Sequence, residues 1–509
     1  MPVARVKSIA LQGIAGQIVE IEVDIADGLP SYVLLGLPDS ALSESRERVR
    51  SAIVNSGFTW PKQKVTVSMS PAWLPKSGSH FDLGIAVAIL LAQGTLVPDS
   101  DLDRTIFLGE LALDGSIKSV RGVLPSLLAA SSNGSNRAVI PIGHATEASL
   151  LPQVRSYGIA TLVEIVQFFE TGLPEVVAKS HSEQLNEENE PRIDFSDIAG
   201  QRGAKFAAEI AAVGGHHLFL VGPPGTGKTM LASRIPTILP PLTSEESLEI
   251  AAIHSVASEI EARNPLSSRP PFVAPHHSIT QVALIGGGAH GVRPGAISLS
   301  HRGVLFIDEA PECKAGTLDA LREPLEKGSV AISRASGTVH FPSSFLLVLA
   351  ANPCPCGKYS GRAAGCECAP SVIKRYGERI SGPLRDRIDI HALVDNPTRA
   401  ELVSEELPES SALIRQRVIN ARGQSAERFA GLGWRLNSEI PSAALRRRFA
   451  ASRDAMAILH RSLDTQRISA RGFHKVLRLA WSIVDARGGE FPRIDDVELA
   501  LHMRLGEVG

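Results

Sequence analysis

Residues Gly222-Pro-Pro-Gly-Thr-Gly-Lys-Thr229 have the spacing G-x-x-x-x-G-K-[ST], which suits a loop that cradles phosphates. Gly222, Gly225 and Gly227, set among Pro223, Pro224 and Thr226, let backbone N–H groups turn towards an anion. Lys228 would reach the β- and γ-phosphates of ATP, and Thr229 would offer its hydroxyl to Mg²⁺. Further along, Val304-Leu-Phe-Ile307 runs into Asp308 and Glu309. Asp308 would hold Mg²⁺ through water, and Glu309 would polarise an attacking water, which makes the reaction hydrolysis rather than transfer. Asn352 ends the apolar run Phe345–Ala351, where an amide can orient that water. Taken alone, an Asn at a strand end is more often a turn residue.

These groups need rigid elements to hold them. Leu218–Val221 suits a buried strand, and Met230–Arg234 can continue as a helix. From Asp194 to about 395, strands and helices alternate, as an open α/β sheet requires. Residues 396–509 turn charged and helix-periodic, which predicts a helical end domain. Residues 171–193 are acidic, polar and free of aromatics, and read as a linker. Residues 1–170 mix short strands with helices. Gln17–Val23 and Val65–Met69 alternate as half-buried strands do, and Asp82–Leu91 reads as a buried helix.

Composition bounds the rest. The 509 residues allow two or three domains, and 44% hydrophobic with 21% charged content is that of folded globular chains. The net charge of −2 leaves any nucleic-acid site to a local basic patch. The N-terminus has no apolar signal core and no run spans a membrane, so the expected location is cytoplasmic, without a membrane partner. Five cysteines in this length are not a disulfide scaffold. Four of them, Cys354, Cys356, Cys366 and Cys368, fall within 15 residues and could close a tetrahedral Zn²⁺ site. The other reading is four reduced thiols on a loop.

The order of phosphate loop, Asp-Glu pair and Asn resembles that of the AAA+ ATPases. Phe272-Val-Ala-Pro-His-His277, Leu284-Ile-Gly-Gly-Gly288, Arg293-Pro-Gly-Ala-Ile297, Asn352-Pro-Cys-Pro-Cys-Gly357 and Ser381-Gly-Pro383 resemble the magnesium-chelatase-like branch of that class. With residues 1–170 included, the chain is similar to competence proteins of the ComM (YifB) type. The resemblance implies an AAA+ P-loop α/β core at 194–395 with a helical lid at 396–509. It also implies ATP and Mg²⁺ as cofactors, and an arginine in trans that stabilises transition-state charge at a neighbour's γ-phosphate. Arg387 takes that role, with Arg385 as the alternative; Arg471 would be a second sensor arginine. The resemblance further implies a homohexameric ring that hydrolyses ATP and drives branch migration of branched or single-stranded DNA, without sequence preference. Such a helicase would serve recombination during natural transformation.

Val330 to Phe341 reads as a hairpin with Arg334 at its tip. Arg334, with Lys327 and Arg293, could contact DNA phosphates. Through Pro75–Gly84, Leu108–Gly115 and Ala138–Pro141, residues 1–170 resemble the Lon-protease-type domain, an α+β fold like that of ribosomal protein S5. The Ser–Lys dyad is missing: the nucleophile position falls on His80 or Asp82, the lysine position falls on Leu124, and Ser77 and Ser79 lack a matching base. This domain therefore reads as an inactive assembly or DNA-binding module. Two other functions fit the same ATPase motifs. One is a magnesium-chelatase ATPase subunit; the other is an AAA+ protein-remodelling factor.

Overall fold

The computed structural model describes residues 3–36, 44–76, 78–171, 193–257, 268–288, 291–334, 337–359, 365–399, 401 and 408–507. Of the linker expected at 171–193, residues 172–192 lie outside the described residues, as do Ser77, Ala335 and Ser336, while Thr171 ends the helix Leu162–Thr171.

The first domain is built on strand Ala15–Ala26, whose alternate residues Val19, Ile21, Val23 and Ile25 are buried. It pairs antiparallel with Ala4–Gln12 on one side and Lys64–Ser70 on the other. Seven strands result, in the order Ser31–Leu35, Lys64–Ser70, Ala15–Ala26, Ala4–Gln12, Thr105–Phe107, Arg137–Pro141, Arg155–Ile159. Helix Asp82–Ala92 is buried from Asp82 to Leu90, as a helix apolar on all sides must be.

The second sheet has five parallel strands, in the order Phe272–Val273, Val304–Ile307, Leu346–Ala351, Leu218–Val221, Ile390–Leu393. Successive side chains on a strand face opposite ways. Leu346, Val348 and Ala350 therefore join one core, and Leu347, Leu349 and Ala351 the other. Strands apolar on both faces are what a parallel sheet covered on both sides needs. The helical end packs on the first of these cores: Val476, Trp481 and Met503 share it with Leu218 and Val348. The ATPase sheet and the helical end thus have one continuous interior, although their composition separates them.

The segment 272–300 folds as a short strand, helix Gln281–Ile285, a two-residue ladder of Gly286–Gly287 with Arg293–Pro294, and helix Ala296–Leu299. Strand Ser329–Arg334 pairs with Gly337–Pro342, from Ser329 opposite Pro342 to Arg334 opposite Gly337. The two hairpins touch: a Cβ at Gly286 would sit 2.7 Å from Cδ1 of Ile332. The first domain reaches the same place, because a Cβ at Gly13 would lie 2.8 Å from both the His340 carbonyl and a Val339 methyl.

Candidate ATPase site

Three neighbouring strands end at the same edge of the parallel sheet, and each delivers a functional group there. Leu218–Val221 leads into the phosphate loop, and helix Lys228–Ile238 leaves it. Gly227 caps that helix at φ +86°, a conformation open chiefly to glycine. Gly222 is needed for a different reason: a Cβ there would meet the Val394 carbonyl at 2.1 Å. The Lys228 ammonium donates to the carbonyls of Gly222 and Pro223 at 2.8 Å each, and to the Asn352 side-chain oxygen at 3.3 Å. Burial pulls the lysine's pKa down, and the carboxylates of Asp308 and Glu309 push it back up.

The Thr229 hydroxyl donates to an Asp308 carboxylate oxygen at 2.6 Å. A hydroxyl and a carboxylate side by side are hard oxygen donors, the set that Mg²⁺ selects, so these residues fit the ion. Glu309 stands at φ +48°, a strained setting for a non-glycine residue, and its N–H donates to Asp308 at 2.9 Å. Its carboxylate meets the His277 ring nitrogen at 3.0 Å. Gln201, at the end of the lead-in Asp194–Gln201, donates to the Thr226 carbonyl of the loop.

Lys228, Thr229, Asp308, Glu309 and Asn352 therefore converge. Arg387 and Arg471 meet elsewhere, on Glu326, whose Oε1 accepts from Arg387 at 2.6 Å and from Arg471 at 3.2 Å. Arg385 turns the other way, onto the Gly377 carbonyl. Lys327 is exposed and paired with Glu323 at 2.7 Å. Arg293 and Arg334 lie on the two touching hairpins.

The four cysteine sulfurs lie within 4.8 Å of one another. Three of their separations are 3.3, 3.7 and 3.6 Å. Ligands about 2.3 Å from a tetrahedral zinc would be about 3.8 Å apart, so the cluster fits the metal. The cysteine loop also leans on the phosphate loop: a Cβ at Gly357 would sit 2.5 Å from the Pro224 ring. In the first domain, Ser79 donates to Glu110, Lys76 to the Pro71 carbonyl, and Asp82 pairs with Arg48 at 2.7 Å. Ser79 and Lys76 thus have separate partners.

Sequence reasoning missed His277 as a partner of Glu309, and missed Glu326 altogether. His277 carried a signal, standing in a His-His pair after a proline in the segment 272–300. Glu326 carried none.

The fold and the site define a P-loop ATPase of the AAA+ class. The family models for the magnesium chelatase subunit ChlI match residues 194–402, for the same subunit of Mg-chelatase residues 21–144, and for its C-terminal part residues 408–504. An uncharacterised protein of Mycobacterium tuberculosis is 46% identical over 99% of both chains. Competence protein ComM of Haemophilus influenzae is 39% identical over 96% of this chain and 94% of its own. The uncharacterised protein YifB of Escherichia coli is 38% identical over 95% and 94%. The chain belongs to the ComM (YifB) family of magnesium-chelatase-like AAA+ proteins. Among the described residues, no helix is long and apolar enough to cross a membrane.

Proposed function

We propose that this protein is a ring-forming motor that spends ATP to migrate branch points in DNA during recombination, as part of the uptake of transforming DNA. The observation that carries this reading is the His277–Glu309 pair at 3.0 Å. His277 lies on the segment that leads into the Arg293 hairpin, and that hairpin packs against the one bearing Arg334. Cations on these hairpins suit contacts to phosphates without sequence readout. A displaced hairpin would pull on His277 and so on the carboxylate that activates water. The relative's name, competence protein, supports the same setting. The ring is a homohexamer in this reading, with Arg387 supplied to the neighbouring site.

The loop would hold the phosphates of ATP, and the Thr229 hydroxyl and Asp308 carboxylate would hold Mg²⁺. When bound, Mg²⁺ neutralises charge on the phosphates. Lys228 then binds the β- and γ-phosphates, Asn352 orients the attacking water, and Glu309 takes its proton. Cys354, Cys356, Cys366 and Cys368 would hold one zinc, and their loop, which packs on Pro224 through Gly357, would be stiffened by it. Metal analysis of protein purified without chelator should return about one zinc per chain; none would remove this part.

The decisive experiment follows labelled branched DNA with wild-type protein and Lys228→Ala. ATP-dependent migration that vanishes in the variant supports the motor. No migration, and no stimulation of hydrolysis by any DNA, would contradict it and favour a chelatase-type subunit, tested by adding porphyrin and its partner subunits.

A further inference from the structure

We propose that Glu326 and Lys475 are positioning residues that make Arg387 and Arg471 one paired cation clamp, shaped to receive the terminal phosphate of a nucleotide held by a second copy of this chain. This deepens the reading of Arg387 as an arginine acting in trans, and rests on it. Two guanidinium groups repel each other when brought together. Here one carboxylate oxygen holds both, at 2.6 Å from Arg387 and 3.2 Å from Arg471. The second Arg387 terminal nitrogen donates to the Pro383 carbonyl at 2.7 Å, so both ends of the guanidinium are held, and the side chain is only 14% exposed. A phosphate oxygen can take the place that the bridging carboxylate oxygen holds between the two arginines.

The helical end grips the backbone at and just after Arg387, and the Asp386 side chain just before it. Helix Ala470–Arg487 carries Arg471 near its start and Lys475 one turn later. The buried Lys475 ammonium donates to the Arg387 carbonyl at 2.7 Å and to Asp389 at 2.6 Å. Arg504, on the last helix, donates to the Ile388 carbonyl and to Asp386 at 3.3 Å. Burial pushes the Asp389 carboxyl up, but Lys475, His216 and His217 hold it well below the usual carboxylate range. This is an ion pair that stays formed. One helix therefore owns Arg471 directly and Arg387 through its backbone, and the two arginines move together with the lid. A change in lid angle over one nucleotide would be felt by the next site around the ring.

The test measures only the clamp supplied to a neighbour. Arg387→Ala subunits keep a phosphate site but lack the clamp; Lys228→Ala subunits keep the clamp but cannot hydrolyse. Mixed, they should recover hydrolysis at shared interfaces. Replacing the second partner by Lys228→Ala/Glu326→Gln should lower the recovered kcat about tenfold and leave KM for ATP within about twofold, a fraction of the roughly 10³ to 10⁵ that a whole arginine finger supplies. Glu326→Asp, which keeps the charge, should retain more activity than Glu326→Gln. Glu326 is half exposed, so these variants keep the fold. Lys475→Arg in the same background keeps a cation beside Asp389, and should lower the recovery several-fold at unchanged melting temperature. Recovery unaffected or raised by Glu326→Gln would overturn the proposal, and recovery unaffected by Lys475→Arg would remove Lys475 from it. No recovery even with Lys228→Ala alone would instead overturn the trans reading beneath it.

Discussion

Two of the buried lysines, one from each half of the chain, make a direct comparison. Lys228 is 7% exposed and Lys76 is 1% exposed. Burial lowers the pKa of both. Lys76 donates to one carbonyl, that of Pro71. Lys228 stands among two carbonyls, an amide and two carboxylates, at the end of three strands. The more buried lysine has the poorer surroundings. Burial of a cation is thus no mark of a site; convergence of several groups with different chemical tasks is. The same contrast separates Ser79, spent on Glu110, from Thr229, held on the Asp308 carboxylate that would share its metal.

The comparison can be broken at Glu309. Glu309→Gln keeps the shape and removes the base, so hydrolysis should fall at least about a hundredfold with nucleotide binding retained. Activity within a few-fold of wild type would mean that another group activates water. His277, which pairs with Glu309, is the first place to look.

A smaller effect should separate the halves by pH. His216 is buried and His217 half-buried where the ATPase sheet meets the helical end, and desolvation drives both pKa values down to about 4, against the pull of Asp389. The His217 ring nitrogen also accepts the Leu347 N–H at 3.2 Å, which protonation would forbid. The unfolded chain takes up these protons below about pH 6.5 and the folded chain only near 4, so stability is present above that window and lost as pH falls through it. Each ring is worth up to about 3 kcal/mol. The melting temperature of the ATPase half should drop between pH 6.5 and 4, and His217→Gln should flatten the slope. A slope unchanged by the variant would place the titration elsewhere.

Much of this architecture was legible because phosphate chemistry fixes spacing. Gly222 to Thr229 is contiguous, and Asp308 and Asn352 follow strands whose apolar runs are plain in the sequence. The half-buried strands and the buried helix of the first domain were legible from alternation and from an unbroken apolar run. What was hidden depends on packing between distant segments. Glu326 gathers Arg387 and Arg471 from 61 and 145 residues away, and no local pattern encodes that meeting. Composition also suggested a boundary at 396 that the shared core crosses, since charge patterning reports the outer surface of helices and not the face they bury.

The most direct test is steady-state ATP hydrolysis by Lys228→Ala and Lys76→Met side by side. Lys228→Ala should lose at least about a thousandfold in rate, because the β/γ-phosphate contact is gone. Lys76→Met should hydrolyse ATP like the wild type and change stability by no more than about 1 kcal/mol, since an apolar side chain of similar length replaces a cation with a single hydrogen bond. Persistent hydrolysis in Lys228→Ala, or its loss in a folded Lys76→Met, would contradict the assignment of chemistry to one lysine and packing to the other.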